Sequence, residues 1–136
     1  MRFLLLIVLF FSSYAIALEN KNFLNGKISY EEKDLNKAKI EFEKSIVANP
    51  KNIDSYIFLS KIFFEIKNQK EEKKNLKTAL LLEPKNEEAL YLITKLNIDE
   101  GDFKAAEQNY KILTTICSKF CDKLTNIDVS LKKFKG

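Results

Sequence analysis

An all-α solenoid, three stacked helical hairpins closed by one further helix, is the fold class this sequence predicts. Three observations carry the prediction. Apolar residues recur at the three- and four-residue spacing of a helix face along most of the chain. A proline-centred motif returns after 34 residues, as Asn49-Pro50-Lys51-Asn52 and then Glu83-Pro84-Lys85-Asn86. Punctuation is sparse, with three glycines and two prolines in 136 residues, which suits long helices joined by short turns better than many-stranded sheets.

Composition narrows the function classes before any element is placed. There is no histidine and no tryptophan, and the single arginine is Arg2. The usual proton shuttle, the commonest metal ligand and the bidentate phosphate fork are therefore nearly all missing. Gly26, Gly101 and Gly136 are the only glycines, too few and too scattered for a phosphate-cradling loop. The 23 basic and 19 acidic residues, formal charge +4, are interleaved rather than gathered, the pattern of a solvated surface and not of a nucleic-acid footprint. The expectation is no catalytic residues, no cofactor, no metal and no nucleic acid.

Taken in order, the chain opens on Met1-Arg2, an unbroken apolar run from Phe3 to Phe11, and Ala15-Ile16-Ala17. That order of charge, apolar run and small residues predicts a secretory signal peptide over 1–17, cut after Ala17. The mature chain is then periplasmic or secreted and touches a membrane only in transit. The apolar stretch falls short of the roughly 20 residues a spanning helix needs. An uncleaved, membrane-tethered segment is the competing reading.

With the proline as the thirty-second place, the remainder divides into units 19–52, 53–86 and 87–120. Each holds two apolar-periodic segments. In the second unit Tyr56, Leu59, Ile62, Phe63 and Ile66 form one stripe and Leu76, Ala79, Leu80 and Leu82 another, across a polar turn at Lys67 to Lys70. Lys33-Asp34-Leu35 and Gly101-Asp102-Phe103 occupy the corresponding turns of the outer units. Each unit reads as a helical hairpin that cannot cover its apolar face alone.

These units resemble the tetratricopeptide repeat family. The first matches at Gly26, Ala38, Phe42, Ser45 and Pro50, the second at Tyr56, Leu59, Ser60, Phe63, Leu76, Ala79 and Pro84, and the third at Leu90, Ile93, Thr94, Ala106 and Tyr110. Gly26, Ser60 and Thr94 stand where paired helices approach closely, with Ala38 and Ala106 opposite them. The chain departs from the family at Asn25 and Ser29, at Glu72 in an alanine place, and at Leu113 and Ser118 in alanine and proline places. The resemblance implies a right-handed α-solenoid whose first helices line a concave, protein-binding groove.

Down that implied groove the fifth place holds Phe23, Ile57 and Tyr91, the ninth Lys27, Lys61 and Lys95, the twelfth Tyr30, Phe64 and Ile98, and the thirteenth Glu31, Glu65 and Asp99. Two readings stand side by side. The apolar and basic columns form a groove for an extended or helical peptide, or each lysine pairs with the acid four residues later on its own helix, for about 0.2–0.5 kcal/mol. The family subtype that clamps chaperone C-terminal carboxylates needs a set of polar residues at places occupied here by Phe23, Lys27, Phe58, Glu88 and Leu92, so that partner class is not expected.

The final segment, 121–136, spaces Leu124, Ile127, Leu131 and Phe134 as one stripe, predicting a capping helix from about Asp122 to Lys135. Lys132, Lys133 and Lys135 in its last turn complement the helix dipole. Against an anionic-lipid role, three lysines fall below the four to eight such a site uses.

Cys117 and Cys121 flank the junction before that helix. They are read as a structural disulfide, a redox pair, free thiols or half a metal shell; the first requires the helix to be broken between them. The arrangement is similar to small exported tetratricopeptide proteins of alphaproteobacteria, where the last repeat runs into a Cys-x3-Cys turn and a lysine-rich helix. A periplasmic interaction scaffold is the leading expectation. A thiol-disulfide module on Cys117 and Cys121, or a tethered assembly subunit, is the alternative.

Overall fold

The computed structural model describes residues 21–133. The signal-peptide prediction over 1–17, Lys135 and Phe134 lie outside them. Helix α1 occupies 21–31 of the described residues. It is followed by α2 (Leu35–Ala48), α3 (Ile53–Glu65), α4 (Gln69–Leu82), α5 (Glu87–Asp99), α6 (Phe103–Ile116), a single 3-10 turn (Cys121–Lys123) and α7 (Leu124–Lys133). No strand occurs among the described residues, and none of their helices is long and apolar enough to cross a membrane.

Local chemistry sets each boundary. Five successive helices begin behind an Asn or Asp whose side chain accepts from the amide three residues on: Asp34 from Lys37, Asn52 from Ser55, Asn68 from Glu71, Asn86 from Ala89 and Asp102 from Ala105, at 3.0–3.2 Å. Each cap satisfies an amide that has no partner in the helix itself. The repeated Pro-Lys-Asn motif therefore carries both a stop and a start. Pro50 and Pro84 follow the ends of α2 and α4, and the asparagine two residues later caps the next helix.

The turn inside each hairpin is also repeated. Lys33, Lys67 and Gly101, all at the fifteenth place, have φ of 65°, 58° and 76°. In each turn the amide of the following residue reaches back over one helical turn, Asp34 to the Ser29 carbonyl, Asn68 to Phe63 and Asp102 to Asn97, at 2.8–2.9 Å. This is the left-handed helix stop that glycine adopts without cost. Only the third unit uses glycine. Replacing Lys67 with glycine is therefore expected to raise stability by about 1 kcal/mol, read as a higher urea midpoint at unchanged slope.

The core lies between hairpins as well as within them. Ala38 and Phe42 of the first hairpin pack on Leu59, Ile62 and Phe63 of the second. Ile57, Leu76 and Ala79 of the second pack on Ala89, Ile93 and Leu96 of the third. Leu90, Ala106 and Leu113 pack on Leu124, Ile127 and Leu131 of α7. Every hairpin thus covers its neighbour, and α7 covers the last, beginning two residues later than the sequence predicts because the 3-10 turn precedes it.

Two expectations about small residues need refinement. Gly26 abuts the Phe42 ring rather than Ala38: a Cβ placed on it would lie 2.7 Å from Phe42 Cε1. The buried hydroxyls of Ser60 and Thr94 turn inward, donating to the carbonyls of Ile57 and Leu90 at 2.7 and 2.6 Å. Close approach is thus achieved without an unpaired polar group at either place.

Candidate functional site

Helices α3, α4 and α5 enclose a hollow of about 50 Å³ lined by Ser60, Lys61, Phe64, Glu72, Leu92, Lys95, Leu96 and Asp99. A second hollow of about 180 Å³ lies between α5 and α7, against Tyr91, Lys95, Ile98 and Asp99 and, from α7, Asn126, Ile127 and Ser130. Lys95 and Asp99 belong to both, so the two form one surface running from the second hairpin to the capping helix. Phe64 is its apolar landmark, 54% exposed. Among the exposed large hydrophobics of the described residues it is the only aromatic ring, and it borders a hollow.

Of the predicted groove residues, Lys61, Phe64 and Lys95 meet at the first hollow and Tyr91, Lys95 and Ile98 at the second. Ile57 does not join them. At 2% exposure it belongs to the core between the second and third hairpins, because the first turn of α3 is covered by Ala89 and Ile93 of the next unit. Phe23 and Tyr30 are also engaged in packing. Their rings lie 5.9 and 5.5 Å from that of Phe58, which itself stacks on Phe42 at 4.8 Å. Lys27 is half-buried on α1, outside both hollows.

The second-unit members of the charged columns pair across hairpins, not along their own helix. Lys61 Nζ lies 2.5 Å from Glu88 of α5 and 4.6 Å from the centre of the Phe58 ring. Glu65 accepts from the Tyr30 hydroxyl at 2.7 Å and sits 3.8 Å from Lys33. Burial, followed by the Glu65 hydrogen bond and charge, pushes the Tyr30 hydroxyl up to about 12. Lys73 of α4 pairs with Glu100 at the end of α5. These contacts mark the seams between units; each is half-exposed and contributes at most about 1 kcal/mol. Lys95 is aimed differently, with its ammonium 6.0 and 5.8 Å from the centres of the Phe64 and Tyr91 rings.

The far end of the surface is fixed by the cysteine turn. α6 stops at Ile116, Cys117 takes an extended conformation (φ −57°, ψ 136°), and Cys117 and Cys121 are joined with Cα atoms 5.3 Å apart. The break between them supplies the direction change that a straight helix would not. Inside the loop, the amides of Ser118, Lys119 and Phe120 and the Ser118 hydroxyl all donate to the Glu87 carboxylate, at 2.7–2.9 Å. Burial opposes ionisation of Glu87, but the hydrogen bonds from Phe120, Ser118 and Lys119 outweigh it and hold the carboxyl below its ordinary range. The turn in this way sets Phe120 over Tyr91, ring centres 5.0 Å apart. Sequence reasoning did not anticipate this nest, since nothing in spacing links Glu87 to residues more than 30 positions away.

Glu72 is the other residue whose role was not foreseen, although its place, alanine in both other units, marked it. It is 5% exposed, and among the described residues its carboxylate has neither a hydrogen bond nor an ion pair. Burial first, then the nearby charges of Asp99 and Glu100, push it up to about 7, against a smaller lowering by Lys95.

Residues 53–86 match the family model for the tetratricopeptide repeat. No curated protein matches the chain. Among solved structures it is similar to the Arabidopsis OM64 TPR domain, with 18% identity, a TM-score of 0.80, and 88% of this chain and 98% of that one covered. It is also similar to the TPR2B domain of yeast Sti1, solved as a pHsp70 complex, with 12% identity, a TM-score of 0.79 and 86% and 98% coverage. A third is the Yersinia enterocolitica type III secretion chaperone SycD in complex with a peptide of the translocator YopD, with 13% identity, a TM-score of 0.75 and 85% and 91% coverage. At such identities the likeness is one of fold.

Proposed function

We propose that this chain, which folds as a tetratricopeptide-repeat domain and carries that family's repeat at 53–86, is an exported interaction scaffold. It holds a segment of another protein against the surface formed by α3, α5 and α7. The observation that carries the reading is Phe64. A large ring stands half-exposed at the rim of the first hollow, which Lys61 and Lys95 also line, on a helix that packs against the neighbouring hairpins. Such a ring is an anchor for an apolar side chain, with lysines beside it for backbone carbonyls or carboxylates. The surface acts by binding, without chemistry. Of the structural relatives, the SycD chaperone was solved with a peptide and the Sti1 domain as a pHsp70 complex, which supports peptide capture as the mode; the identity of the partner does not carry over, because one fold hosts many roles. The N-terminal pattern of charge, apolar run and Ala15-Ile16-Ala17 supports export.

A photo-crosslinking amino acid at position 64 tests the site, with Leu81, 82% exposed on α4 and outside both hollows, as the control position. A discrete adduct from position 64 in the cell envelope and none from position 81 is the expected result. Equal labelling at both, or labelling at 81 alone, removes the groove reading. Mass spectrometry of the exported protein checks the compartment claim: an N-terminus at Leu18 is expected, and one at Met1 would instead favour a tethered chain.

A further inference from the structure

We infer that the hollow between the second and third hairpins is an ammonium subsite, in which Glu72 and Asp99 receive the head of a lysine side chain from the bound segment. The inference rests on the groove reading above and assigns it a ligand chemistry.

Ala38 and Ala106 occupy the equivalent places of the other units and are fully buried, so the fold is satisfied there by a methyl group. Glu72 puts a carboxylate in the same place, 5% exposed, lining the hollow, with no hydrogen bond or ion pair among the described residues. A buried carboxylate without a partner is costly. Within the described fold only the nearby Lys95 charge offsets it, and in small part.

Charge decides what would. Of the groups that face Glu72, Lys61 is already neutralised by Glu88 at 2.5 Å, and Glu100 by Lys73. Glu72, Asp99 and Lys95 remain, two acids against one base whose ammonium is directed over the Phe64 and Tyr91 rings. An incoming cation balances this set and an anion does not. Size and lining agree. The hollow of about 50 Å³ is several times the roughly 10–15 Å³ one water needs, enough for an ammonium and the end of its stem. Phe64, Leu92 and Leu96 supply the apolar wall that lysine methylenes cover. A guanidinium fork is broader and has less room.

The probe is n-butylammonium chloride, titrated into the isotope-labelled full chain at pH 8 and followed by NMR at the Leu92 and Leu96 methyls and the Ser60 amide. Equal concentrations of n-butanol and of sodium chloride serve as controls. Saturable shifts at millimolar butylammonium, absent with both controls, are expected. Glu72→Gln should weaken them at least tenfold, roughly the loss of one charge-assisted contact. Because the carboxyl titrates near 7, binding should be about tenfold weaker at pH 6 than at pH 8. Glu72→Ala, which restores the residue of the other units, checks that loss of binding is not loss of fold. No saturable shift, an equal response to butanol, or equal affinity of the Glu72→Gln protein overturns the subsite. If the adduct at position 64 forms in full yield while these tests fail, the groove stands and only its ammonium subsite falls; loss of the position-64 adduct itself removes both.

Discussion

Replacing Phe42 with alanine is expected to remove about 3–5 kcal/mol of stability and to lower the melting temperature by on the order of 10–20 °C. The ring is wholly buried, stacked on Phe58 at 4.8 Å and tilted against Phe23 at 5.8 Å. It joins the first hairpin to the second through Leu59, Ile62 and Phe63. In a stacked array each unit is held by its neighbours, so the damage should stay local. Hydrogen exchange should accelerate in α1 and α2 while α5 to α7 remain protected, and a loss below about 1 kcal/mol would show that the ring does not hold the seam.

The same site permits a double-mutant test. Gly26→Ala alone forces a Cβ to 2.7 Å from the ring and should destabilise. In the Phe42→Ala background that obstacle is gone, and the higher helix propensity of alanine, close to 1 kcal/mol over glycine, should turn the same change neutral or favourable. Additive effects would contradict the assigned role of Gly26.

The second large effect concerns pH. Burial raises Glu72 from 4.5 to about 7 in the folded chain. A raised carboxyl binds its proton more tightly in the folded state, so its contribution to stability is fully present below pH 4.5, fades between 4.5 and 7, and is gone above. The full swing amounts to about 3 kcal/mol. Glu72→Gln removes the titration and keeps the shape. The two proteins should be close in stability at pH 5, and the variant should gain by about 2 kcal/mol at pH 8, measured by urea unfolding at each pH. Glu87 titrates in the opposite sense, since its lowered carboxyl stabilises at neutral pH and loses that contribution as acid protonates it. For this reason the variant difference, and not the parent curve alone, is the informative quantity. A difference that does not change with pH would show that Glu72 is not held in a desolvated place.

The cost at Glu72 and the openness of Phe64 have a common origin. Both line the hollow between the second and third hairpins, and neither belongs to the apolar clusters that hold the stack. Stability there is given up at residues that line one surface, a pattern expected of a binding site more than of a scaffold. The cysteine turn has the complementary role. By gripping Glu87 and placing Phe120 on Tyr91, it fixes α7 along α5 and so shapes the far wall of that surface.

What the sequence by itself determined is the architecture. The 34-residue period, the helical spacing of apolar residues, the Pro-Lys-Asn boundary and the turn at the fifteenth place are all local signals, and hydrogen bonds and backbone preferences acting within a few residues turn them directly into helices, caps and stops. Tertiary structure alone decided which members of the columns face a partner. Periodicity assigns a residue an angle on its helix but not the neighbour it meets there: Ile57 is covered by the next hairpin while Phe64, two turns later, extends past it. The pairing of Lys61 with Glu88, the grip of the Ser118–Phe120 loop on Glu87 and the isolation of Glu72 depend on distances between units. Those distances are set by how side-chain volumes pack across a seam, and no single helix encodes that sum.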